Sequence, residues 1–151
     1  MVDFTLSTSE QAIRSTASSF ANLHLAGARG ICSKQDTPAK QFQATQPIYA
    51  EAVKAGLVKG QIPAPIGGSS NSLVEAAILV EEFYAVETSA SLTIFGTGLG
   101  LTPLALAYQP KFSKFLEPFL TCQGTPLASL VFSEPGGVVS IPASNTALSG
   151  C

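Results

Sequence analysis

Charged side chains are scarce in this sequence. They make up 12% of its 151 residues, whereas an average soluble domain carries about 25%. A chain with so few charges leaves much of its surface uncharged, so we expect that partners cover that surface or that the chain is part of something larger. The formal net charge of −2 supplies no basic field for nucleic acid or an anionic membrane, and neither is expected as a partner.

Cysteine and histidine are also rare. The three cysteines, Cys32, Cys122 and Cys151, form no CxxC pair and are odd in number, which favours reduced thiols in an intracellular protein over a disulfide scaffold. The single histidine, His24, has no Cys/His cluster around it, so no metal site is expected. We interpret His24 as a packed or partly exposed side chain rather than a catalyst.

No targeting signal is expected at either end of the chain. The first 14 residues contain Asp3 and Glu10 and no apolar core segment, which argues against a signal peptide or a transit peptide. Residues 149–151 match no peroxisomal or prenylation signal, so the cytoplasm is the expected compartment. Residues 88–110 carry no charge, but glycines and prolines interrupt them, and we predict a buried helix pair rather than a membrane span.

Cap signatures and apolar periodicity predict six helices followed by one strand. Ser7-Thr8-Ser9-Glu10 is a capping box, and Asn71-Ser72 begins a second cap signature. Residues 30–44 are predicted to form a polar connection, and residues 62–68 an extended linker. The predicted helices span 8 to about 28, 45 to about 57, 72–86, 88–99, 102–108 and 112–120.

Residues at helical spacing define the predicted buried faces. These faces comprise Ile13, Ala17, Phe20 and His24 on the first helix, Ile48, Ala52, Val53 and Leu57 on the second, Leu73, Ala77, Val80 and Tyr84 on the third, and Phe112, Phe115, Leu116, Phe119 and Leu120 on the last.

Two motifs suggest chemistry, but each has a simpler interpretation. Glu81 and Glu82 are adjacent, and neighbouring helical residues point about 100° apart, so we predict a solvated or interface role rather than a carboxylate pair. The second motif is the glycine-rich run Gly96-Thr97-Gly98-Leu99-Gly100, whose composition is similar to that of a phosphate-binding loop. It lacks the required glycine spacing, the preceding strand and a P-loop lysine. Small residues for close helix–helix contact explain it better.

The segment Leu127–Gly137 is predicted to be a buried β-strand that ends in a sharp turn at Glu134-Pro135-Gly136-Gly137. Taken alone, an apolar run of this kind is typical of an ordinary core strand.

Four stretches in this order resemble the N-terminal helical domain of the acyl-CoA dehydrogenase superfamily. They are residues 55–68, 80–89, 114–124 and 127–137, with Ser133-Glu134-Pro135 where the family usually has Thr-Glu-Pro. The residues 42–45 and 128–130, together with Ser133, are more similar to the nitroalkane oxidase branch than to the mainstream dehydrogenases.

The resemblance implies a mainly α fold with three parts. An orthogonal six-helix domain would span 4–122, the first strand of the flavin-binding β domain 123–137, and a divergent tail, expected to be disordered, 138–151. The rest of the β domain and the C-terminal helical bundle, which supplies the family's catalytic carboxylate, have no counterpart. We therefore expect a truncated product, whether a gene fragment, a mispredicted exon end or a natural remnant.

The resemblance also implies a cofactor, FAD, and an acyl-CoA or nitroalkane-like substrate for the full-length family. In the family, the strand before Glu-Pro lies against the flavin ring, which assigns Leu130, Val131, Phe132 and Ser133 to cofactor binding. No residue is assigned to catalysis or to a metal. Two interpretations stay open: the N-terminal part of a flavin-dependent oxidoreductase, inactive alone, or a non-catalytic helical remnant that forms a homo-oligomer or docks on a full-length homologue.

Overall fold

The computed structural model describes residues 5–130. Across this range the chain is helical, which confirms the mainly α prediction. Of the predicted strand, residues 127–130 run without a strand partner within the described range, and the rest, like the tail at 138–151, lies outside it. The α-helices are α1 Thr8–His24, α2 Ala28–Cys32, α3 Pro38–Lys54, α4 Leu73–Val86, α5 Thr88–Leu106 and α6 Ser113–Leu120, and short 3-10 helices occupy Lys59–Gln61, Ala64–Ile66 and Pro110–Phe112.

The capping box at the start of α1 is confirmed. The Glu10 amide donates to the Ser7 hydroxyl at 3.3 Å, and the Ser7 amide donates to the Glu10 carboxylate at 2.7 Å. These bonds from Ser7 hold the pKa of the Glu10 carboxyl below its ordinary value. The helix ends at His24 rather than near Ala28, because the chain turns at the fully buried Leu25 before α2 begins.

The second predicted helix begins earlier than expected. The sequence placed its start at Thr45, with Pro47 in the first turn, but α3 begins at Pro38, and Thr37 caps it by accepting from the Lys40 amide at 3.3 Å. Pro47 therefore lies inside the helix, where it removes one backbone hydrogen bond. Burial of the residues that follow it, Tyr49, Ala52 and Val53, offsets that loss.

The fourth and fifth predicted helices are one helix, α5, with Pro103 inside it. The sequence predicts Thr88 or Ser89 as its cap, but the N-cap is Glu87, whose carboxylate accepts from the Ala90 amide at 2.6 Å. Within the described residues, α5 is long and apolar enough to cross a membrane by length and composition alone. In this fold it packs against α3 and α4 and buries Ile94, Thr97 and Leu101.

The predicted buried face of α4 is wrong. Leu73 is 89% exposed and Val80 39% exposed, whereas the helix buries Ile78 and Phe83. The first half of α4 is apolar on nearly every side, so its periodicity does not determine which side faces the core.

Aromatic rings join α4 to its neighbours. Phe83 stacks on Phe20 of α1 at 5.5 Å between ring centroids and meets Phe95 of α5 edge-on at 5.4 Å. Phe20 also contacts the partly buried His24 at 4.4 Å, in agreement with a packed histidine. The core therefore lies between an α1–α4 pair and an α3–α5 pair, and the chain after α6 returns to the α3–α5 side.

The linker at 62–68 is more ordered than the sequence predicted. The Ser70 amide donates to the Ile62 carbonyl at 3.0 Å, and Pro63 and Ser70 form an isolated parallel bridge around the 3-10 turn. Backbone hydrogen bonding therefore fixes a loop that the prolines alone would leave extended.

Candidate functional site

The segment Pro126–Leu130, which leads into the predicted cofactor strand, lies on α3 and α5. It contacts α5 at Gly100, where a Cβ atom would lie 2.6 Å from the backbone C of Ala128 and the N of Ser129. A side chain of any size at Gly100 would overlap that backbone, so the segment reaches this position because the residue is glycine.

Tyr49 of α3 holds the start of the same segment. Its hydroxyl donates to the Pro126 carbonyl at 2.6 Å and lies 3.0 Å from the Thr97 hydroxyl of α5. Because the Pro126 carbonyl can only accept, the single Tyr49 proton goes to it. The Thr97 hydroxyl then donates its proton either to the Tyr49 oxygen or to the Thr93 carbonyl, which lies 3.1 Å from it.

These groups are enclosed by the protein. Tyr49 is 4% exposed and Thr97 1% exposed. Burial raises the pKa of the Tyr49 phenol above its ordinary value of 10.0, and the hydrogen bond with Thr97 opposes that rise in part. The phenol is therefore protonated at neutral pH and available as a donor to Pro126.

The glycine motif of α5 has contacts that the sequence did not predict. A Cβ atom on Gly98 would overlap the Gln61 side chain, and one on Gly96 would meet nothing within 4 Å. Gln61 in turn donates from Nε2 to the carbonyls of Leu57 at 3.0 Å and Ile94 at 3.1 Å. The motif therefore permits close approach, as predicted, but its partners are a 3-10 turn and the segment Pro126–Leu130 rather than another helix.

Of the four predicted cofactor-binding residues, Leu130 is the one that falls within the described range. It is 39% exposed, and Leu127 is 44% exposed, while Ala128 packs against the core. Val131, Phe132 and Ser133 lie outside the described residues. The segment before them is thus supported at Ala128 and partly exposed at Leu127 and Leu130.

Tyr49 and Gly100 were not singled out by the sequence as site residues. Tyr49 adjoins the predicted buried position Ile48 and precedes Ala52 by three residues, so its burial followed from helical spacing. Its partner could not be predicted, because Pro126 is 77 positions away along the chain.

Other polar groups of interest are structural. Arg14 of α1 lies 3.0 Å from the Glu81 carboxylate and 3.2 Å from the Glu82 carboxylate, so both carboxylates take part in a contact between α1 and α4, as the interface interpretation predicted. Within residues 5–130, no group of three metal-ligating side chains is present.

An apolar groove of about 290 Å³ runs between α1, α4 and the end of α3, with Ile13, Phe20 and Leu79 in its lining. The Thr16 hydroxyl on its wall donates to the Ala12 carbonyl at 3.0 Å, so that group does not orient a polar ligand.

Comparison with known families places this helical domain. The family model for the acyl-CoA dehydrogenase N-terminal domain matches residues 7–114. The chain belongs to the acyl-CoA dehydrogenase family. The predicted relationship is confirmed, and the matched residues include α1 through α5.

Within this family, the similar proteins are nitroalkane oxidases. The enzyme of Podospora anserina is 52% identical over 140 residues, which is 92% of this chain and 33% of that protein. The enzyme of Fusarium oxysporum is 48% identical over 141 residues, 93% of this chain and 32% of that protein. The chain therefore spans about a third of the length of these relatives.

Solved structures agree. Nitroalkane oxidase of Podospora anserina superposes with a TM-score of 0.86 at 54% identity, over 91% of this chain and 33% of that one. An active-site variant of nitroalkane oxidase crystallised with 1-nitrohexane gives a TM-score of 0.85 at 48% identity, over 90% and 32%. A third structure, of the flavoprotein nitroalkane oxidase, gives 0.85 at 47% identity, over 91% and 32%.

Because one of these relatives is a flavoprotein, the fit of the described residues to a flavin can be examined. Pro126–Leu130 is held by Tyr49 and Gly100, and the side chains of Leu127 and Leu130 stay partly exposed. This arrangement fits the support of a strand that contacts a flat ring. Among the described residues, Leu130 alone belongs to the predicted contact set.

Proposed function

We propose that this chain is the N-terminal part of an FAD-dependent oxidoreductase of the nitroalkane oxidase type. Its part in that enzyme is to hold the strand that begins at Leu127 in position for the flavin. The observation that carries the proposal is the seating of Pro126–Leu130 on α3 and α5 in a chain that is 52% identical to a nitroalkane oxidase.

In this proposal, Leu130, Val131, Phe132 and Ser133 hold the flavin edge. Bound FAD would supply the electron acceptor for oxidation of a nitroalkane-like or acyl-CoA substrate. The protein's contribution is orientation, through main-chain groups and the Ser133 hydroxyl beside the ring. Hydrogen-bond donors placed there would stabilise negative charge on the reduced flavin.

We further propose that the chain alone does not turn over substrate. Several of its carboxylates already have structural partners: Glu10 and Glu87 cap helices, and Glu81 and Glu82 pair with Arg14. We assign no catalytic residue to this chain, so the general base that removes the substrate proton would come from elsewhere in the full-length enzyme.

The proposal is tested by titrating the full chain with FAD, following flavin fluorescence, and then assaying oxidation of 1-nitrohexane. We expect saturable FAD binding, a flavin absorption band that survives desalting, and no substrate oxidation. A chain that leaves flavin fluorescence unchanged and stays colourless would contradict flavin binding. Oxidation of 1-nitrohexane by the loaded chain would contradict the absence of a base.

A second function is favoured by two exposed leucines. Leu73 is 89% exposed and Leu106 84% exposed, and both line one groove bordered by the 61–70 loop, α5 and α6. A non-catalytic helical remnant would cover such side chains by forming a homo-oligomer or by docking on a full-length homologue. Colourless protein that co-purifies with a full-length homologue would favour this function over the first.

A further inference from the structure

We propose that Tyr49 is a positioning residue for flavin binding, because its hydroxyl fixes where the flavin-contacting strand begins. This inference rests on the proposed function, which places Leu130–Ser133 against FAD. It concerns a residue that touches neither cofactor nor substrate in that proposal and acts through the backbone of Pro126.

The first step in the argument is the hydrogen bond itself. Tyr49 Oη lies 2.6 Å from the Pro126 carbonyl oxygen, and Tyr49 is 4% exposed. The tyrosine ring is packed, so it cannot follow the segment if the segment shifts. A fixed donor therefore selects one position for the Pro126 carbonyl.

The second step is that two helices converge on this hydroxyl. Tyr49 belongs to α3, and the Thr97 hydroxyl 3.0 Å away belongs to α5. Thr97 is fully enclosed, and because the Tyr49 proton goes to Pro126, the link to α5 forms when the Thr97 hydroxyl donates to the Tyr49 oxygen rather than to the Thr93 carbonyl 3.1 Å away. The start of the segment is thus tied to both helices of the α3–α5 pair through one oxygen atom.

The third step is a second point of contact further along the segment. Gly100, three residues after Thr97 on α5, lies against the peptide that joins Ala128 to Ser129. Two supports, at Pro126 and at Ala128–Ser129, fix the direction of the segment that ends at Leu130 as well as its position.

The test compares Tyr49→Phe with Tyr84→Phe in the full chain. Tyr49→Phe keeps the packed ring and removes only the donor to Pro126. Tyr84 is a matched control, because its ring contacts Phe95 at 6.1 Å and its hydroxyl makes no hydrogen bond within residues 5–130. FAD affinity, the visible band of the bound flavin and backbone amide exchange are measured for each variant.

For Tyr49→Phe we expect FAD affinity to fall about tenfold, as for a lost hydrogen bond to a carbonyl that stays partly buried. At saturating FAD, the flavin band should shift or broaden. Amide exchange should accelerate at Ala128–Leu130 and stay unchanged in α1 and α4. Tyr84→Phe should match the parent chain in all three measurements.

Unchanged FAD affinity and unchanged exchange at Ala128–Leu130 in a folded Tyr49→Phe variant would overturn the inference. If the parent chain itself fails to bind FAD, the proposed function fails, and amide exchange still decides whether Tyr49 positions the segment. If Tyr49→Phe does not fold, Gly100→Ala displaces the same segment while leaving the Tyr49 hydroxyl in place. A folded Gly100→Ala variant with parental FAD affinity would also overturn the inference.

Discussion

At the scale of single residues, two glycines of α5 offer a direct comparison. Gly96 and Gly100 are one helical turn apart, yet a Cβ atom would meet nothing within 4 Å at Gly96 and would lie 2.6 Å from backbone atoms at Gly100. The cost of glycine in a helix is the same at both positions, about 0.5–1 kcal/mol relative to alanine. The difference between them therefore isolates the contact with Ala128 and Ser129.

We predict opposite effects for the two alanine substitutions. Gly96→Ala should raise the free energy of unfolding by about 0.5–1 kcal/mol through helix propensity. Gly100→Ala should lower it by about 1 kcal/mol or more, because overpacking exceeds that gain. Urea denaturation of both variants measures the difference, and equal changes in stability would mean that Gly100 does not support the segment.

Tyr49 gives a prediction about pH. Burial raises the pKa of its phenol above 10.0 in the folded chain, so the folded state keeps this proton at pH values where the unfolded chain has lost it. The resulting stabilisation is fully present below the unfolded pKa and is lost as pH rises through the raised pKa.

Urea denaturation between about pH 8 and about pH 11 tests this linkage, since an ordinary tyrosine titrates near pH 10. The parent chain should lose more stability across this range than Tyr49→Phe, which has no phenol at that position. Parallel curves for the parent and Tyr49→Phe would show that the Tyr49 phenol is not linked to folding.

Residue roles were predictable where the partner is near in sequence. The capping box joins Ser7 to a residue three positions away, and it was found because the pattern and the bond are both local. The Tyr49–Pro126 bond and the Gly100 contact bring together positions that are far apart in the chain. No local sequence pattern encodes those pairings, so the two contacts that hold Pro126–Leu130 could be identified only from the structure.

At the scale of the elements, caps were better guides than interior prolines. Ser72 starts α4 as predicted, with its hydroxyl accepting from the Val74 amide at 3.1 Å. The sequence predicts helix starts near Pro47 and Pro103, but both prolines lie inside helices, α3 and α5. Sequence reasoning ends a helix at a proline because the proline removes a backbone hydrogen bond. In α3 and α5, burial of the flanking apolar residues outweighs the loss of that bond.

The corrected face of α4 is testable with a matched pair. Ile78 is 4% exposed and Val80, two residues on, is 39% exposed. Ile78→Ala should lower the free energy of unfolding by about 2–5 kcal/mol, as for other core truncations. Val80→Ala should change it by less than about 0.5 kcal/mol, as for surface positions.

Thermal or urea unfolding of the two α4 variants gives both values. A larger loss for Val80→Ala than for Ile78→Ala would restore the face that the sequence pattern indicated. Comparable losses would mean that α4 is buried on both sides in solution, as expected if a second chain covers Val80.

At the scale of the whole molecule, the family and the helical architecture could be predicted from the sequence, because four short stretches in a fixed order carry the resemblance. Three of the four predicted cofactor-binding residues, Val131, Phe132 and Ser133, lie outside the described range, and Leu130 stands at its edge. The described domain accounts for the support behind the strand, and the role of the strand itself stays a proposal.

The central claim is that this domain holds a flavin-binding strand beginning at Leu127. Amide hydrogen exchange of the full chain, with and without FAD, tests it most directly. We expect FAD to slow exchange in peptides covering 127–133 and to leave α1 and α4 unchanged. Protection confined to the apolar groove between α1 and α4, or no protection by FAD anywhere in the chain, would contradict it.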